Sequence, residues 1–386
     1  MGKKTYQIQE IGEVVGGGTP STKIAAYWDG DIAWISPADL SHYNNVYIEK
    51  GKNNITQLGL KKSCTVLLPP NTVLLTSRAP IGYIALAKSS ICTNQGFKSI
   101  ICNPKVVNYR YLYYYLRQSM DYIKLFASGS TFPELSGNRL KRIKITIEQD
   151  VTIQKKIASI LSAYDDLIEN NKKRIKILEQ MAENLYKEWF VRFRFPGYET
   201  AEFENGIPKG WGIRRLDEVS KLSAGGDAPK DFSLVQSKEY PIPIYSNGIV
   251  NDGLYGYCKK PTRTAKSITI SARGTVGFVC LRFQPYMPIV RLVSIEPKNE
   301  SLDVFYLYYY FKENSIEGYG TSQQQITIPY LSKKKILVPN INLMEKFGIY
   351  IDKLFENINT LKEKNKNLIK QRDLLLPRLM SGKLEV

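Results

Sequence analysis

Two arginines at matching places are the residues of this sequence best suited to contact a phosphate or a base edge. Arg78 and Arg273 each begin an Arg-x-x-x-Gly segment, and Ser77 and Ser271 lie just before them. A guanidinium group carries five N–H donors in a planar fork, which fits a phosphate or the O6 and N7 atoms of guanine. Each arginine is therefore predicted to enter a DNA groove or to bind a phosphate. The alternative, an arginine that only caps a turn, stays open.

Other polar side chains have similar chemistry and lie in or near the same segments. Amides fit adenine edges, whereas hydroxyls and lysines fit phosphates. Besides the two arginines, the predicted DNA-contacting residues are Asn94, Gln95, Lys98, Ser130, Thr131, Lys141, Arg142, Asn247, Thr321, Ser322, Gln323, Lys333 and Lys334. For several of them a structural role is an open alternative, because an Asn-Gln-Gly segment also forms turns and a lysine run is usually a solvated face.

Motifs of catalysis are missing from the sequence. An adenine methyltransferase needs an Asn/Asp-Pro-Pro-Tyr/Phe tetrad for its flipped base, and the nearest stretch, Leu68-Pro69-Pro70-Asn71, has the wrong ends and order. Neither a G-x-x-x-x-G-K-[ST] phosphate loop nor a G-x-S-x-G elbow occurs. His42 is the only histidine, and the five cysteines include no C-x-x-C pair. We therefore expect no catalytic residue, no metal and no cofactor in this chain.

The charge of the chain is strongly positive. Lys and Arg total 54 against 36 Asp and Glu, a formal net charge of +18. Such an excess on a folded protein favours a polyanionic partner, with nucleic acid first, although a charge that serves solubility alone is the alternative. No apolar run approaches the ~20 residues that a membrane-spanning helix needs, and the N-terminus shows no apolar signal segment. The expected location is the cytoplasm, and the expected partner is a nucleic acid.

The chain repeats one plan. Tyr111–Leu116 has the sequence Tyr-Leu-Tyr-Tyr-Tyr-Leu, and Tyr306–Phe311 repeats it with a final Phe at an offset of 195, which also separates the two arginines. Two markers with one offset indicate an internal duplication. The predicted fold class is mixed α+β, with two pseudo-repeated α/β domains separated by two long antiparallel coiled-coil helices. The predicted boundaries are 1–150 and 195–340 for the domains, 151–194 for the central helix and 341–386 for the C-terminal helix.

Hydrophobic periodicity predicts the main elements of each copy. The predicted strands are Asp31–Ile35, Thr65–Leu68, Val73–Thr76, Tyr83–Ala87 and Ile143–Ile147 in the first copy, and Ile242–Tyr245, Ser267–Ser271, Phe278–Leu281 and Ile336–Pro339 in the second. Helices are predicted at Tyr109–Phe126 and Val304–Lys312, with their tyrosines in the core rather than exposed for base stacking.

Two longer segments have the apolar spacing of coiled-coil helices. Apolar residues recur every three or four positions over Ile157–Trp189 and again over Phe347–Leu379, and each helix would be roughly 50 Å long. Each series contains an asparagine, Asn171 or Asn365. Antiparallel pairing about a pseudo-twofold axis places these asparagines opposite each other, and a buried Asn pair fixes register at a cost in stability. Both are predicted to set the helix register; an exposed, splayed Asn171 is the alternative.

The motifs, in their order, resemble the DNA-specificity subunit of type I restriction–modification systems. The resemblance covers essentially the whole chain and is carried by residues 27–40 (Tyr-Trp-Asp-Gly-Asp-Ile-Ala-Trp-Ile-Ser-Pro-Ala-Asp-Leu), 93–98, 157–163 and 375–382. It implies two target-recognition domains, each for one half of a bipartite site in double-stranded DNA. It also implies that the helices set the spacing and dock two methyltransferase subunits, which methylate adenine N6, and that restriction/translocase subunits join for cleavage. S-adenosylmethionine, ATP and magnesium would then belong to the partner subunits.

The second copy departs from the first at one loop. Pro288-Ile289-Val290-Arg291 stands where the first copy has Thr93-Asn94-Gln95-Gly96. Different loops would give the two domains different half-sites. Two other interpretations remain: a basic coiled-coil adaptor that binds nucleic acid, and a degenerate DNA methyltransferase.

Overall fold

The chain forms two compact units. A computed structural model describes residues 2–129, 133–264, 266–298, 302–316 and 325–386. The first unit comprises Met1–Arg174 and Leu361–Val386, and the second comprises Ile175–Thr360. Each unit therefore contains one globular domain and one end of each of two long helices.

Short strands and helices make up the globular part of the first unit. In chain order the elements are β1 (Lys3–Gln7), α1 (Ile8–Ile11), β2 (Gly12–Gly16), β3 (Trp28–Ile35), β4 (Tyr47–Ile48), β5 (Asn53–Ile55), α2 (Gln57–Lys61), β6 (Val73–Ser77), β7 (Ile81–Ala87), β8 (Cys92–Thr93), β9 (Lys98–Cys102), α3 (Tyr109–Gln118), α4 (Met120–Lys124), α5 (Gly137–Arg142), β10 (Lys144–Glu148) and α6 (Val151–Tyr186), which continues into the second unit.

Three sheets organise this unit. One has five strands in the order β2-β9-β6-β7-β4, one has three in the order β5-β3-β8, and β1 pairs with β10. The helix α3 covers the core with Tyr111 and Tyr114, which are fully buried. The prediction that the tyrosines belong to the core is confirmed.

Equivalent elements build the second unit. They are β11 (Phe203–Glu204), β12 (Ile207–Pro208), β13 (Gly212–Arg215), α7 (Leu216–Val219), β14 (Ser220–Ala224), β15 (Ile242–Tyr245), β16 (Leu254–Cys258), β17 (Ser267–Ile270), β18 (Val279–Arg282), β19 (Met287–Pro288), β20 (Val293–Pro297), α8 (Val304–Glu313), α9 (Ile328–Ser332), β21 (Lys335–Val338) and α10 (Ile341–Ser381), whose end lies in the first unit.

The sheets of the two units correspond. The order β14-β20-β17-β18 matches β2-β9-β6-β7, β16-β15-β19 matches β5-β3-β8, and β13 pairs with β21 as β1 pairs with β10. In both three-stranded sheets the last pair is parallel, β3 with β8 and β15 with β19. The predicted mixed fold with two pseudo-repeated domains and two long helices is confirmed.

The two long helices are part of the domain cores. Asp150 precedes α6 and accepts a hydrogen bond from the Thr152 N–H at 2.7 Å, which satisfies one of the free donors of the first turn. In the first unit α6 and α10 run antiparallel, because Asn171 contacts Asn365 whereas Asp165 contacts Arg372. Ile157, Ala158 and Leu161 of α6 join Leu376, Leu379 and Met380 of α10 in the core of this unit.

Aromatic side chains make the corresponding packing in the second unit. A short π-helical segment, Lys187–Val191, follows α6. Its Phe190 lies with its ring centroid 4.9 Å from that of Phe347 on α10 and 4.9 Å from that of Tyr306 on α8. Edge-to-face contacts of this kind add to the free energy of burying the rings.

Two secondary-structure predictions were wrong. Thr65–Leu68 is not a strand; only Leu68 forms an isolated bridge, with Ile91. The two prolines that follow, Pro69 and Pro70, have no N–H to extend a ladder. The helix predicted at Tyr109–Phe126 is broken at Ser119, whose backbone leaves the helical region (φ −92°, ψ 14°). Serine is a weak helix former because its hydroxyl competes for backbone groups, and the break lets Met120 and Ile123 enter the core.

Candidate nucleic-acid interface

Three loops of the first unit converge on Arg78, which follows β6. The N–H of Ser77 donates to the Gly96 carbonyl at 2.7 Å, which holds the 94–98 loop beside the arginine. The N–H of Leu135 donates to the Ser77 carbonyl at 2.9 Å, which adds the segment before α5. These bonds join three stretches that are far apart in the sequence.

A small charged cluster results. Nη1 of Arg78 lies 3.8 Å from Oε2 of Glu134, with both side chains about two-fifths exposed. Lys98 is half-buried, and burial lowers its pKa. The negative charge of Glu134 raises this pKa, whereas the positive charge of Arg78 lowers it. Because Arg78 and Lys98 remain accessible, they can meet phosphates or base edges from one surface.

The two amides of the first domain differ in their freedom. Asn94 accepts a hydrogen bond from the Gly96 N–H at 2.8 Å through Oδ1, which closes a local turn. Asn94 therefore has a structural role in this turn, while its contact with DNA stays a prediction. Gln95 is exposed, and its Oε1 accepts a hydrogen bond from the Thr19 hydroxyl. Of the two, Gln95 is better placed to meet a base edge.

The triglycine loop supports this surface, a role that the sequence analysis missed. A Cβ on Gly17 would lie 2.0 Å from the Asn94 carbonyl oxygen, and one on Gly18 would lie 2.5 Å from the Thr65 nitrogen. Only glycine permits such a close backbone approach. The indole N–H of Trp34 donates to the Gly18 carbonyl at 2.9 Å and fixes the loop further.

Arg273 occupies the equivalent place in the second unit. It is exposed, and its Nη2 donates to Oε1 of Gln325 at 3.2 Å. The N–H of Ile326 donates to the Ala272 carbonyl at 3.0 Å, the counterpart of the bond between Leu135 and Ser77. Both arginines thus lie in a loop held by the segment before a short helix.

Asn247 is fastened to the backbone on both sides. Its Oδ1 accepts from the Ala272 N–H at 2.8 Å, and its Nδ2 donates to the Val290 carbonyl at 2.6 Å. The amide therefore holds the Arg273 loop and the Val290 loop together. These two bonds leave one Nδ2 hydrogen and one Oδ1 lone pair for a further contact.

Each domain has a pair of basic residues shortly before its last strand. Lys141 and Arg142 end α5, and Lys333 and Lys334 follow α9. Lys141 lies beside the Gly12 end of β2, whereas Lys98 pairs with the Gly16 end. Four residues of strand span about 13 Å, so the structure does not bring Lys141 to the Arg78 cluster.

Five predicted contacts lie outside the described residues. They are Ser130, Thr131, Thr321, Ser322 and Gln323. The DNA-contacting role of the remaining predicted residues stays a prediction.

A buried polar seam lies between the helices of the first unit. Nδ2 of Asn171 donates to Oδ1 of Asn365 at 2.8 Å, and both side chains are buried. The asparagines therefore pair as the register hypothesis requires, while their effect on register stays a prediction. Two turns away, Arg372 forms an ion pair with Asp165, which also accepts from the Tyr114 hydroxyl at 2.5 Å.

Two features are absent from the part of the chain that the structure describes. In this part of the chain, His, Cys, Asp and Glu side chains form no group of three that would suit a metal ion. No helix there combines the length and the apolar character that crossing a bilayer requires.

Comparison with known proteins identifies the family of this chain. The model of the type I restriction modification DNA specificity domain matches residues 2–180 and 208–371, one match in each half. The chain belongs to this family.

Individual relatives have the same description. The MjaIX type I restriction enzyme specificity subunit of Methanocaldococcus jannaschii is 37% identical, with 98% of this chain and 93% of the relative covered. The HindI specificity subunit of Haemophilus influenzae is 25% identical over 75% of this chain and 80% of its own length. The crystal structure of a type I restriction–modification S subunit from M. genitalium superposes on this chain with a TM-score of 0.66 at 18% identity. The match covers 98% of this chain and 96% of the other, and it shows a similarity of fold.

Proposed function

We propose that this chain is the non-catalytic DNA-specificity subunit of a type I restriction–modification complex. Each globular domain binds one half of a bipartite site. The chain brings methyltransferase subunits to adenine for N6 methylation and restriction subunits to the same DNA for cleavage. The observation that carries the proposal is the duplication itself: the family match falls once in each half, and each half has an exposed arginine loop held in the same way.

Charge and asymmetry support two different half-sites. The net charge of +18 suits a backbone of phosphates. The loops that flank the arginines differ, since Gln95 has no amide counterpart at Val290. Sequence is recognised by such side chains at base edges, whereas lysines mainly position the protein. Two similar folds with different loop residues therefore suit two unlike blocks of sequence.

The partners supply the chemistry in this proposal. S-adenosylmethionine, ATP and magnesium belong to the methyltransferase and restriction subunits, and this chain needs no cofactor. The long helices set the separation of the two domains and dock the methyltransferase subunits. The complex works in the cytoplasm.

The direct test is a map of adenine methylation across a genome. Cells that express this chain with its cognate methyltransferase subunit are compared with cells that express the methyltransferase subunit alone. The expected result is a new split motif, two short blocks around a fixed unspecified gap. A stable complex on DNA without any new methylation would refute the proposal and favour a basic nucleic-acid-binding adaptor.

A further inference from the structure

Two residues outside the predicted site occupy equivalent positions in the two domains. Glu134 precedes Leu135, whose N–H donates to the Ser77 carbonyl at 2.9 Å, and Gln325 precedes Ile326, whose N–H donates to the Ala272 carbonyl at 3.0 Å. The accepting residues are those immediately before Arg78 and Arg273. The same backbone bond therefore places one residue next to each arginine.

The side chains at these positions reach the arginines. The distance from Nη1 of Arg78 to Oε2 of Glu134 is 3.8 Å, and that from Nη2 of Arg273 to Oε1 of Gln325 is 3.2 Å. Glu134 is about two-fifths exposed, and Gln325 is exposed. Each domain thus presents an arginine with an oxygen acceptor beside it, a carboxylate in one domain and an amide in the other.

The backbone holds these residues without help from their side chains. Glu134 exchanges two backbone hydrogen bonds with Ser128, at 2.8 and 3.0 Å. The next residue is buried in both domains, Leu135 and Ile326. An exposed ion pair at 3.8 Å contributes little to stability. The fold therefore leaves the side chain at this position free to vary.

We propose that positions 134 and 325 determine the base preference of their domains, beside a guanine-contacting arginine. This inference rests on the proposed function. A carboxylate only accepts hydrogen bonds, so Glu134 fits the N4 amino group of cytosine in the major groove. An amide donates and accepts, so Gln325 fits the N6 and N7 atoms of adenine. The difference between the two residues contributes to the difference between the two half-sites.

Charge gives a second reason for this assignment of Glu134. A carboxylate on a surface that faces phosphates is repelled by them, and the domain that carries it is otherwise rich in basic residues. A base amino group is a donor that offsets that repulsion. Arg78, held next to the carboxylate, places positive charge at the same point.

Reciprocal exchanges in the full chain test the inference. Glu134→Gln and Gln325→Glu are each expressed with the cognate methyltransferase subunit, and genomic adenine methylation is mapped. Glu49→Gln is the matched control in the first domain, because it also removes an exposed carboxylate from an ion pair, with Lys88 at 2.7 Å. Gln236→Glu, at another exposed amide, is the control in the second domain.

The expected change is confined to one base position of one block. Glu134→Gln shifts that position from cytosine towards adenine by roughly tenfold or more, and Gln325→Glu makes the reverse change in the other block. Glu134→Ala removes the preference without creating a new one. Both controls keep the wild-type motif.

Three other outcomes can be distinguished from the expected change of motif. If both exchanges keep the wild-type motif, the positions do not select bases and the inference is overturned. If methylation falls equally at all sites without a change of motif, the residues only support the fold, which also overturns it. If the wild-type chain itself directs no split motif, the proposed function fails rather than the inference.

Discussion

The ion pair between Asp165 and Arg372 offers a sharp test of how the two helices are held together. Both side chains are almost fully buried, at 8% and 7% exposure, and both sit where a coiled coil usually has apolar residues. Asp165 has one further hydrogen-bond partner, the Tyr114 hydroxyl, whereas Arg372 also binds Asp373 through Nε and Nη2. The two single substitutions should therefore have unequal effects.

The magnitudes follow from what each substitution leaves behind. Arg372→Leu strands a buried carboxylate with a single hydroxyl donor, and removing one partner of a buried pair destabilises a protein by about 3–5 kcal/mol. Asp165→Leu leaves the guanidinium with Asp373, so its effect should lie below that range. The double variant Asp165→Leu/Arg372→Leu has no stranded charge and should lie within roughly 2 kcal/mol of the wild type or above it.

The assay combines urea unfolding with native-state hydrogen exchange in peptides from α6 and α10. Hydrogen exchange is needed because a chain of two units need not unfold in one step. Lys370→Leu, an exposed change on the same helix, is the control and should alter the free energy of unfolding by no more than about 0.5 kcal/mol. Equal and additive effects of the two single substitutions would show that the pair is not coupled.

Further predictions concern the register, the pH dependence and the loop support. Asn171→Leu leaves Asn365 buried without its partner and should alter or blur the spacer in the methylated motif; an unchanged spacer would refute the register hypothesis. Burial raises the pKa of Asp303 from its ordinary 3.8 to about 6. The folded state then binds this proton more tightly than the unfolded state does, so protonation of Asp303 stabilises the folded state. This contribution is fully present below about pH 4 and is lost as pH rises through 6. The free energy of unfolding of the second unit should fall by roughly 1 kcal/mol between pH 5 and pH 7 because of this group. In urea unfolding at both pH values, Asp303→Asn should show a smaller difference in this free energy than the wild type. Gly17→Ala should weaken binding to the first half-site in a fluorescence titration, because its Cβ would lie 2.0 Å from the Asn94 carbonyl oxygen. Gly226→Ala, whose Cβ would have no atom within 4 Å, should leave this affinity unchanged. Equal affinities of the two variants would contradict the proposed support.

The repeated architecture could be predicted because simple patterns in the sequence indicate it. The offset of 195 links markers in both halves, and apolar spacing of three and four defines the long helices. The apolar spacing follows from helix geometry alone, and the offset follows from comparing the two halves of the sequence. The asparagine pairing followed from the same periodicity, because an antiparallel pair with a pseudo-twofold axis has few possible registers.

The buried ion pair was missed because sequence statistics oppose it. Asp165 lies next to Tyr164, which belongs to the apolar series predicted over Ile157–Trp189, and charged residues are seldom buried. In the structure Asp165 takes the buried position and Tyr164 is only partly buried. The partner that makes this arrangement possible, Arg372, is far away in the chain.

The composition of the candidate interface depended on tertiary contacts in the same way. Glu134 and Gln325 lie beside the arginines because the residues that follow them donate backbone hydrogen bonds to Ser77 and Ala272. No local sequence pattern predicts these bonds. The support from Gly17 likewise depends on the neighbouring loop. Sequence reasoning identified the arginines by their repetition, but it missed Glu134 and Gln325, which lie beside them.

The discontinuity of the first unit has a consequence for biosynthesis. Its core includes Leu376, Leu379 and Met380, which the ribosome makes only after residues 175–360. At about 5–20 residues per second, Ile157 and Leu161 wait roughly 10–40 s for these partners. The domain translated first is thus the one completed last. A premature stop codon before Leu361 would expose apolar surface in that early domain and make the truncated product a target for chaperones and proteases.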